Sequence, residues 1–149
     1  MENPMPVLTN GCQAKRNDKL AKTMNIEELR KICLSIKGVE ECLPFDNDTP
    51  VYKVMGKMVA YYSLTPKGGN FFVNLKCNPE RSTELRERYE GVTKPYHVGD
   101  TLKWNSIYIE SDVPDNLICE LVYHSVDEVI AGLSKKLQAE YKNLLTEKF

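Results

Sequence analysis

Few residues in this chain have side chains that could do chemistry, and they are scattered. There are two histidines, His97 and His124, and five cysteines: Cys12, Cys33, Cys42, Cys77 and Cys119. None of the cysteines form a C-x-x-C pair, and no Cys/His spacing is of the zinc kind. Asp46 and Asp48 stand close together, but no calcium loop follows them. Pro66-Lys67-Gly68-Gly69 is glycine-rich, yet it lacks the G-x-x-x-x-G-K-[ST] pattern and the helix that must follow it. No metal and no cofactor are expected.

Nucleophilic catalysis needs a nucleophile, a base and an orienting group brought together in space. Cys77 precedes Asn78-Pro79, a helix start, and a helix N-terminus lowers a thiol pKa. A small buried residue at a strand end explains the same cysteine without chemistry. His124 and Ser125 are adjacent, but Ser125 reads as the N-cap of a helix. An enzymatic or small-molecule role would need Cys77, His97 and Trp104 to meet in one pocket. No catalytic residue is assigned, and the chain is not expected to be an enzyme.

Charge is more informative. The total is −1, so no global field draws the molecule to nucleic acid or membrane. Between Val51 and Lys76, however, the chain carries Lys53, Lys57, Lys67 and Lys76 and no acid, a local +4. Between Ser111 and Leu133 it carries Asp112, Asp115, Glu120, Asp127 and Glu128 and no Lys or Arg, a local −5. Basic turns beside Asn and aromatic residues can straddle a phosphate backbone. Lysines on edge strands also serve simply to prevent sheet-to-sheet aggregation.

These residues need elements to position them. A length of 149 residues favours one domain with one core. No apolar run approaches the roughly 20 residues that span a bilayer. The start, Met1-Glu2-Asn3-Pro4, does not read as a secretory signal. An odd cysteine count without paired spacing points to five free thiols in a reducing cytoplasm.

Residues 1–23 have no apolar period and read as a flexible tail. Asn25 caps a helix in which Ile26, Leu29, Ile32, Cys33 and Ile36 recur at helical spacing, with Gly38 as its stop. Val39 to Pro50 reads as a connection, with Leu43-Pro44-Phe45 tucked against the core. Val51–Val54, Met58–Leu64 and Phe71–Lys76 read as three strands of an antiparallel meander, joined at Met55-Gly56-Lys57 and at residues 65–70.

Asn78-Pro79-Glu80 opens the next helix. Lys103 to Ile109, with the only tryptophan, reads as a fourth strand. Period two sets Trp104, Ser106 and Tyr108 against Asn105, Ile107 and Ile109. Two helices follow, divided at the capping-box pattern Ser125-Val126-Asp127-Glu128. The order is α-β-β-β-α-β-α-α. This predicts an α+β fold of two layers, an antiparallel sheet with helices on one face.

The chain resembles the MmcQ/YjbR family of small bacterial proteins over about residues 24–136. The resemblance rests on Met24-Asn25-Ile26-Glu27-Glu28-Leu29-Arg30 with Gly38-Val39, on Pro44-Phe45 followed by Thr49, and on Val54-x-Gly56-Lys57-Met58. It continues through Val73-Asn74-Leu75-Lys76-Cys77-Asn78-Pro79-Glu80, Pro95-Tyr96-His97, Lys103-Trp104-Asn105, and Pro114-Asp115 to His124-Ser125. Val126 departs from the pattern, which usually has an aromatic there. Residues 1–23 and 137–149, the latter a helical extension, are additional. The resemblance implies a fold like that of the frataxin-like CyaY proteins. It also implies DNA binding through two projecting wings, which fall here on Gly56-Lys57 and on Pro66-Lys67-Gly68-Gly69.

The expected function is therefore a cytoplasmic, weakly specific or non-specific DNA-binding module. Lys53, Lys57, Lys67, Lys76 and Lys103 would meet phosphates of duplex DNA. Asn74 and Asn105 would add hydrogen bonds if they lie on the exposed face. The alternative is a protein-interaction module that uses the acidic helices or an exposed aromatic face with Trp104 and Tyr108. No membrane partner is expected.

Overall fold

The structure, a computed structural model, describes residues 24–66, 68–95 and 102–146. Four helices, α1 (Ile26–Leu34), α2 (Pro79–Arg88), α3 (Asp115–Ala131) and α4 (Lys135–Thr146), accompany six strands. The strands are β1 (Val39–Cys42), β2 (Val51–Val54), β3 (Lys57–Tyr62), β4 (Phe72–Lys76), β5 (Val92–Thr93) and β6 (Trp104–Tyr108). They form one antiparallel sheet in the order β1-β2-β3-β4-β6-β5. The fold is α+β, as the sequence predicts, with two more strands than expected.

The main core lies between the sheet and the helices. Tyr62, Val73, Leu75 and Ile107 from the strands meet Leu29, Ile32, Ile118, Leu121 and Val122 from the helices. Each such side chain contributes about 1.5–3 kcal/mol when fully buried. A smaller cluster of Val51, Tyr61 and Trp104 packs apart from it, with Cys42 and Met58 against it. Alternation along β6 separates the two: Ile107 and Ile109 belong to the main core and Trp104 to the smaller cluster. Trp104 is 9% exposed and its ring tilts against Tyr61 at 5.9 Å. With Trp104 buried and Tyr108 half-buried, the strand does not present the open aromatic face considered above.

The helix starts follow the sequence. Asn25 accepts the amide of Glu28 at 2.8 Å, and Asn78 accepts the amides of Glu80 and Arg81. The β2–β3 turn places Met55 and Gly56 at φ 52 and 81, the left-handed pair that matches the twist of a two-residue hairpin.

Four expectations need correction. The first concerns Val39–Cys42, read as connection and found as edge strand β1. Its acidic pair hides it, because Glu41 does not stand alone in solvent but pairs with Arg30 at 2.8 Å and accepts the Tyr52 hydroxyl. The second is the loop Leu43-Pro44-Phe45, which is not tucked in: Leu43 is 50% and Phe45 65% exposed.

The third is the helix break. It falls at Gly132, not at Ser125; α3 runs unbroken through Asp115–Ala131, and Ser134 caps α4 by accepting the Leu137 amide. The last concerns the thiols. Cys33, Cys42 and Cys77 are free, but Cys119 is disulfide-bonded, so five free thiols is wrong.

Candidate nucleic-acid interface

Strand register decides which lysines stand together. Val54 pairs with Val39 and Lys57, and Lys76 pairs with Trp104. The end of β2, the start of β3, the end of β4 and the start of β6 therefore share one end of the sheet. Lys53, Lys57, Lys76 and Lys103 are all carried there. Lys57 and Lys103 are exposed, Lys53 and Lys76 half-exposed. Glu40, opposite Lys53 in the ladder, is the nearby acid that register supplies.

The opposite end is acidic. Cys42 pairs with Val51 and Phe72 with Tyr108, so the 43–50 loop with Asp46 and Asp48, the 63–71 turn and Glu110 gather at that end. Asn70 ties the last two together by donating to the Glu110 carbonyl at 2.9 Å. Consecutive turns of a meander must alternate ends. The two proposed wings, Gly56-Lys57 and the turn of Pro66 and Gly68, thus lie at opposite ends of β3, about 20 Å apart for a six-residue strand. Lys67 itself lies outside the described residues, as does His97.

The two asparagines do not face solvent. Asn74 is 1% exposed; it donates to the Tyr61 carbonyl and accepts the Ser106 hydroxyl. Asn105, also 1% exposed, donates to Ser82 Oγ at 3.0 Å and accepts from Arg86 Nε at 2.7 Å. Arg86 also donates to the Trp104 carbonyl at 3.0 Å. Neither amide is available to a phosphate.

Cys77, His97 and Trp104 do not form the pocket imagined for them. Cys77 lies in the main core and Trp104 in the separate cluster. Burial pushes the Cys77 thiol above its ordinary value despite its bond with Ser82 and the nearby Arg81 charge, so its thiolate is disfavoured. His124 Nε2 accepts the Asn78 amide at 3.2 Å, and desolvation together with Arg81 lowers its pKa. Its imidazole is thus held neutral and structural.

The sequence reading passed over Arg81 and Arg86. Arg81 pairs with Glu120 at 2.8 Å and locks α2 to α3. Asp112 accepts the amides of Glu90 and Gly91, and Glu128 lies 3.9 Å from His124. Two carboxylates of the acidic helix region are thus engaged within the molecule, Glu120 with Arg81 and Asp112 with the backbone. The −5 tally gave no sign of this, because a count does not show which carboxylates have partners.

A six-stranded antiparallel sheet covered by helices defines a small α+β domain, and relatives of known sequence and structure share it. The YjbR family model matches residues 34–127, and the chain belongs to this family. It is 30% identical over 112 residues to uncharacterized protein YbdF of Escherichia coli O157:H7, covering 75% of this chain and 89% of that one. It is 25% identical over 124 residues to uncharacterized protein YjbR of Escherichia coli strain K12, covering 83% and 99%. The crystal structure of Deinococcus radiodurans protein DR2400, with domain DUF419, superposes with a TM-score of 0.71 at 30% identity. That alignment covers 82% of this chain and 88% of that one. A protein from Pseudomonas syringae shares the fold at TM-score 0.59 and 18% identity, over 68% and 96% of the two chains. No helix among the described residues is long and apolar enough to cross a membrane.

Proposed function

We propose that the protein is a DNA-binding module of weak or no sequence specificity, which sets the basic end of its sheet against the phosphate backbone. The observation that carries this reading is the strand register, which gathers Lys53, Lys57, Lys76 and Lys103 at one end. It revises the two-wing picture to a single docking end, with Asn74, Asn105 and the 63–71 turn left out. This reading keeps a cytoplasmic setting, in which the Cys119 disulfide would form only under oxidising conditions; it involves no catalytic step and keeps the CyaY-like outline expected of the family. A protein partner is the competing reading. It is disfavoured by the internal engagement of Asp112 and Glu120.

Four neutralised phosphates give a slope of log K against log salt of about −3.6, at about −0.9 per phosphate on duplex DNA. Fluorescence-anisotropy titration of a duplex at several salt concentrations measures it. Lys57→Gln with Lys76→Gln should flatten the slope by about 1.8. Absence of binding at low salt, or a slope indifferent to the first pair, refutes the reading and moves a protein partner to first place.

A further inference from the structure

Cys119 is disulfide-bonded, while Cys33, Cys42 and Cys77 are free. The one cysteine left in the chain is Cys12, which lies outside the described residues. A disulfide holds its two Cα atoms about 4.4–6.8 Å apart. Cys119 is 3% exposed, so the backbone that carries its partner must lie against the helical layer.

The place of Cys119 on α3 says which stretch of chain that is. Cys119 and Tyr123 are one turn apart and share a face of the helix. The hydroxyl of Tyr123 meets that of Ser35, the C-cap of α1. Cys119 is therefore on the side of α3 that looks toward α1. Asn25 and Ile26, at the start of α1, line an apolar hollow with Leu64, Phe71 and Ile109, and α3 starts a few residues after Ile109. Both helices thus begin at one end of the molecule, and Cys119 is in the first turns of α3.

Residues 1–23 join the fold at that same end. Met24, where they join, is 4% exposed and lines the hollow. The stretch from Cys12 to Met24 reaches about 40 Å when extended, more than the roughly 25 Å length of α3. It carries Lys15, Arg16, Lys19 and Lys22 against a single acid, Asp18. The helix starts offer it exposed Glu27 and half-exposed Asp115, so the charges are complementary. The Cys119 of a second copy is a poorer partner, because its α3 would have to approach on the side that α1 occupies.

We propose that Cys12 is the partner of Cys119, and that this bond straps the N-terminal segment across the starts of α1 and α3. The strap is redox-controlled: oxidised, the segment is held at Cys12 and at Met24; reduced, it is held at Met24 alone. The bond forms by exchange with a small-molecule disulfide such as oxidised glutathione. The thiolate of one cysteine attacks a sulfur of that disulfide and releases one small thiol. The other cysteine then displaces the second small thiol from the mixed disulfide, so two electrons and two protons pass from the protein to the oxidant. Burial pushes the Cys33 thiol up to about 12 and raises that of Cys77, which deprives both of the thiolate that exchange needs. Cys42 packs against the smaller cluster, on the other face of the sheet from Cys119 in the main core.

The full chain, equilibrated with oxidised glutathione or with dithiothreitol, tests this. Remaining thiols are blocked with N-ethylmaleimide in denaturant, and unreduced peptides are mapped by mass spectrometry. Oxidation should give a monomer in which the peptides of Cys12 and Cys119 are linked, and reduction should separate them. Oxidation should also raise the melting midpoint by about 5 °C, because the bond closes a longer loop in the unfolded chain than in the fold. Cys12→Ser should abolish both the linked pair and the shift, and Cys42→Ser should keep both. Cys119 linked to Cys33, Cys42 or Cys77, a cross-linked dimer, glutathione retained on Cys119, or no bond at all overturns the proposal. So does a melting midpoint that oxidation leaves unchanged.

Discussion

Ser125 Oγ donates to the Val59 carbonyl at 2.6 Å, from the middle of helix α3 into strand β3. The same oxygen accepts the Lys76 amide of β4 at 2.9 Å. The β2–β3 register runs from Tyr52↔Ala60 to Lys53↔Met58 and skips Val59, so β3 bulges at that residue. The β3–β4 ladder stops at Ala60↔Leu75, one position short of Val59 and Lys76. The serine hydroxyl thus stands in for a missing strand-to-strand bond.

Ser125→Ala should lower unfolding stability by about 2–4 kcal/mol, since it leaves two buried backbone groups unpaired at about 1–3 kcal/mol each. Denaturant unfolding measures this. A loss below about 0.5 kcal/mol would show that β3 and β4 close up without the hydroxyl.

Asp127 gives a pH prediction. Burial, with the Glu128 charge, pushes its carboxyl up to about 7, and its Oδ1 has no partner among the described residues. The folded state therefore holds a proton that the unfolded chain releases near its ordinary value of about 4. The protonated form is the one the fold favours, so stability is full below about pH 4 and falls as pH rises to about 7. Asp127→Asn should be more stable than the parent at pH 8, by about 1–2 kcal/mol after allowing for its half-exposed position. It should show no gain at pH 4. Melting curves across pH that stay parallel for the two chains would contradict this.

Helix α4 is integral to the core. Tyr141 is 2% exposed and its hydroxyl donates to the Lys37 carbonyl at 3.1 Å. Gly38 lies so close beneath α4 that a Cβ there would come within 3.3 Å of Leu144. Tyr141→Ala should cost about 3–5 kcal/mol. A chain ending at residue 136 should melt well below the full chain, and equal melting would make α4 a dispensable extension.

Thiol counting checks the cysteine correction. Five cysteines with Cys119 in a disulfide and Cys33, Cys42 and Cys77 free should give three reactive groups in the denatured, unreduced chain. Reduction should raise the count to five. A count of five before reduction would remove the disulfide.

What the sequence disclosed follows a physical line. Local signals survived: the caps Asn25 and Asn78, the Met55-Gly56 turn and the alternation of β6 each depend on near neighbours in the chain. Signals that depend on distant partners failed. Ser125 resembles an N-cap because Glu128 follows it, yet its hydroxyl is claimed by residues about fifty and sixty-six positions away. Glu41 conceals β1 because its partners Arg30 and Tyr52 come from other elements. The lysines are legible in the sequence as cations, but their grouping depends on the register. Lys67 and Lys57 look equivalent in sequence, while the turns that carry them lie at opposite ends of β3.

That separation gives the molecule a direction. A sheet with lysines at one end and carboxylates at the other is an electric dipole laid along its strands. β3 spans about 20 Å, more than twice the roughly 8 Å over which charge is felt at physiological ionic strength. A charged surface therefore senses only the end that faces it. An approaching polyanion would draw the lysine end forward and a polycation the carboxylate end, so the near-zero net charge permits two opposite orientations of approach without favouring either from afar.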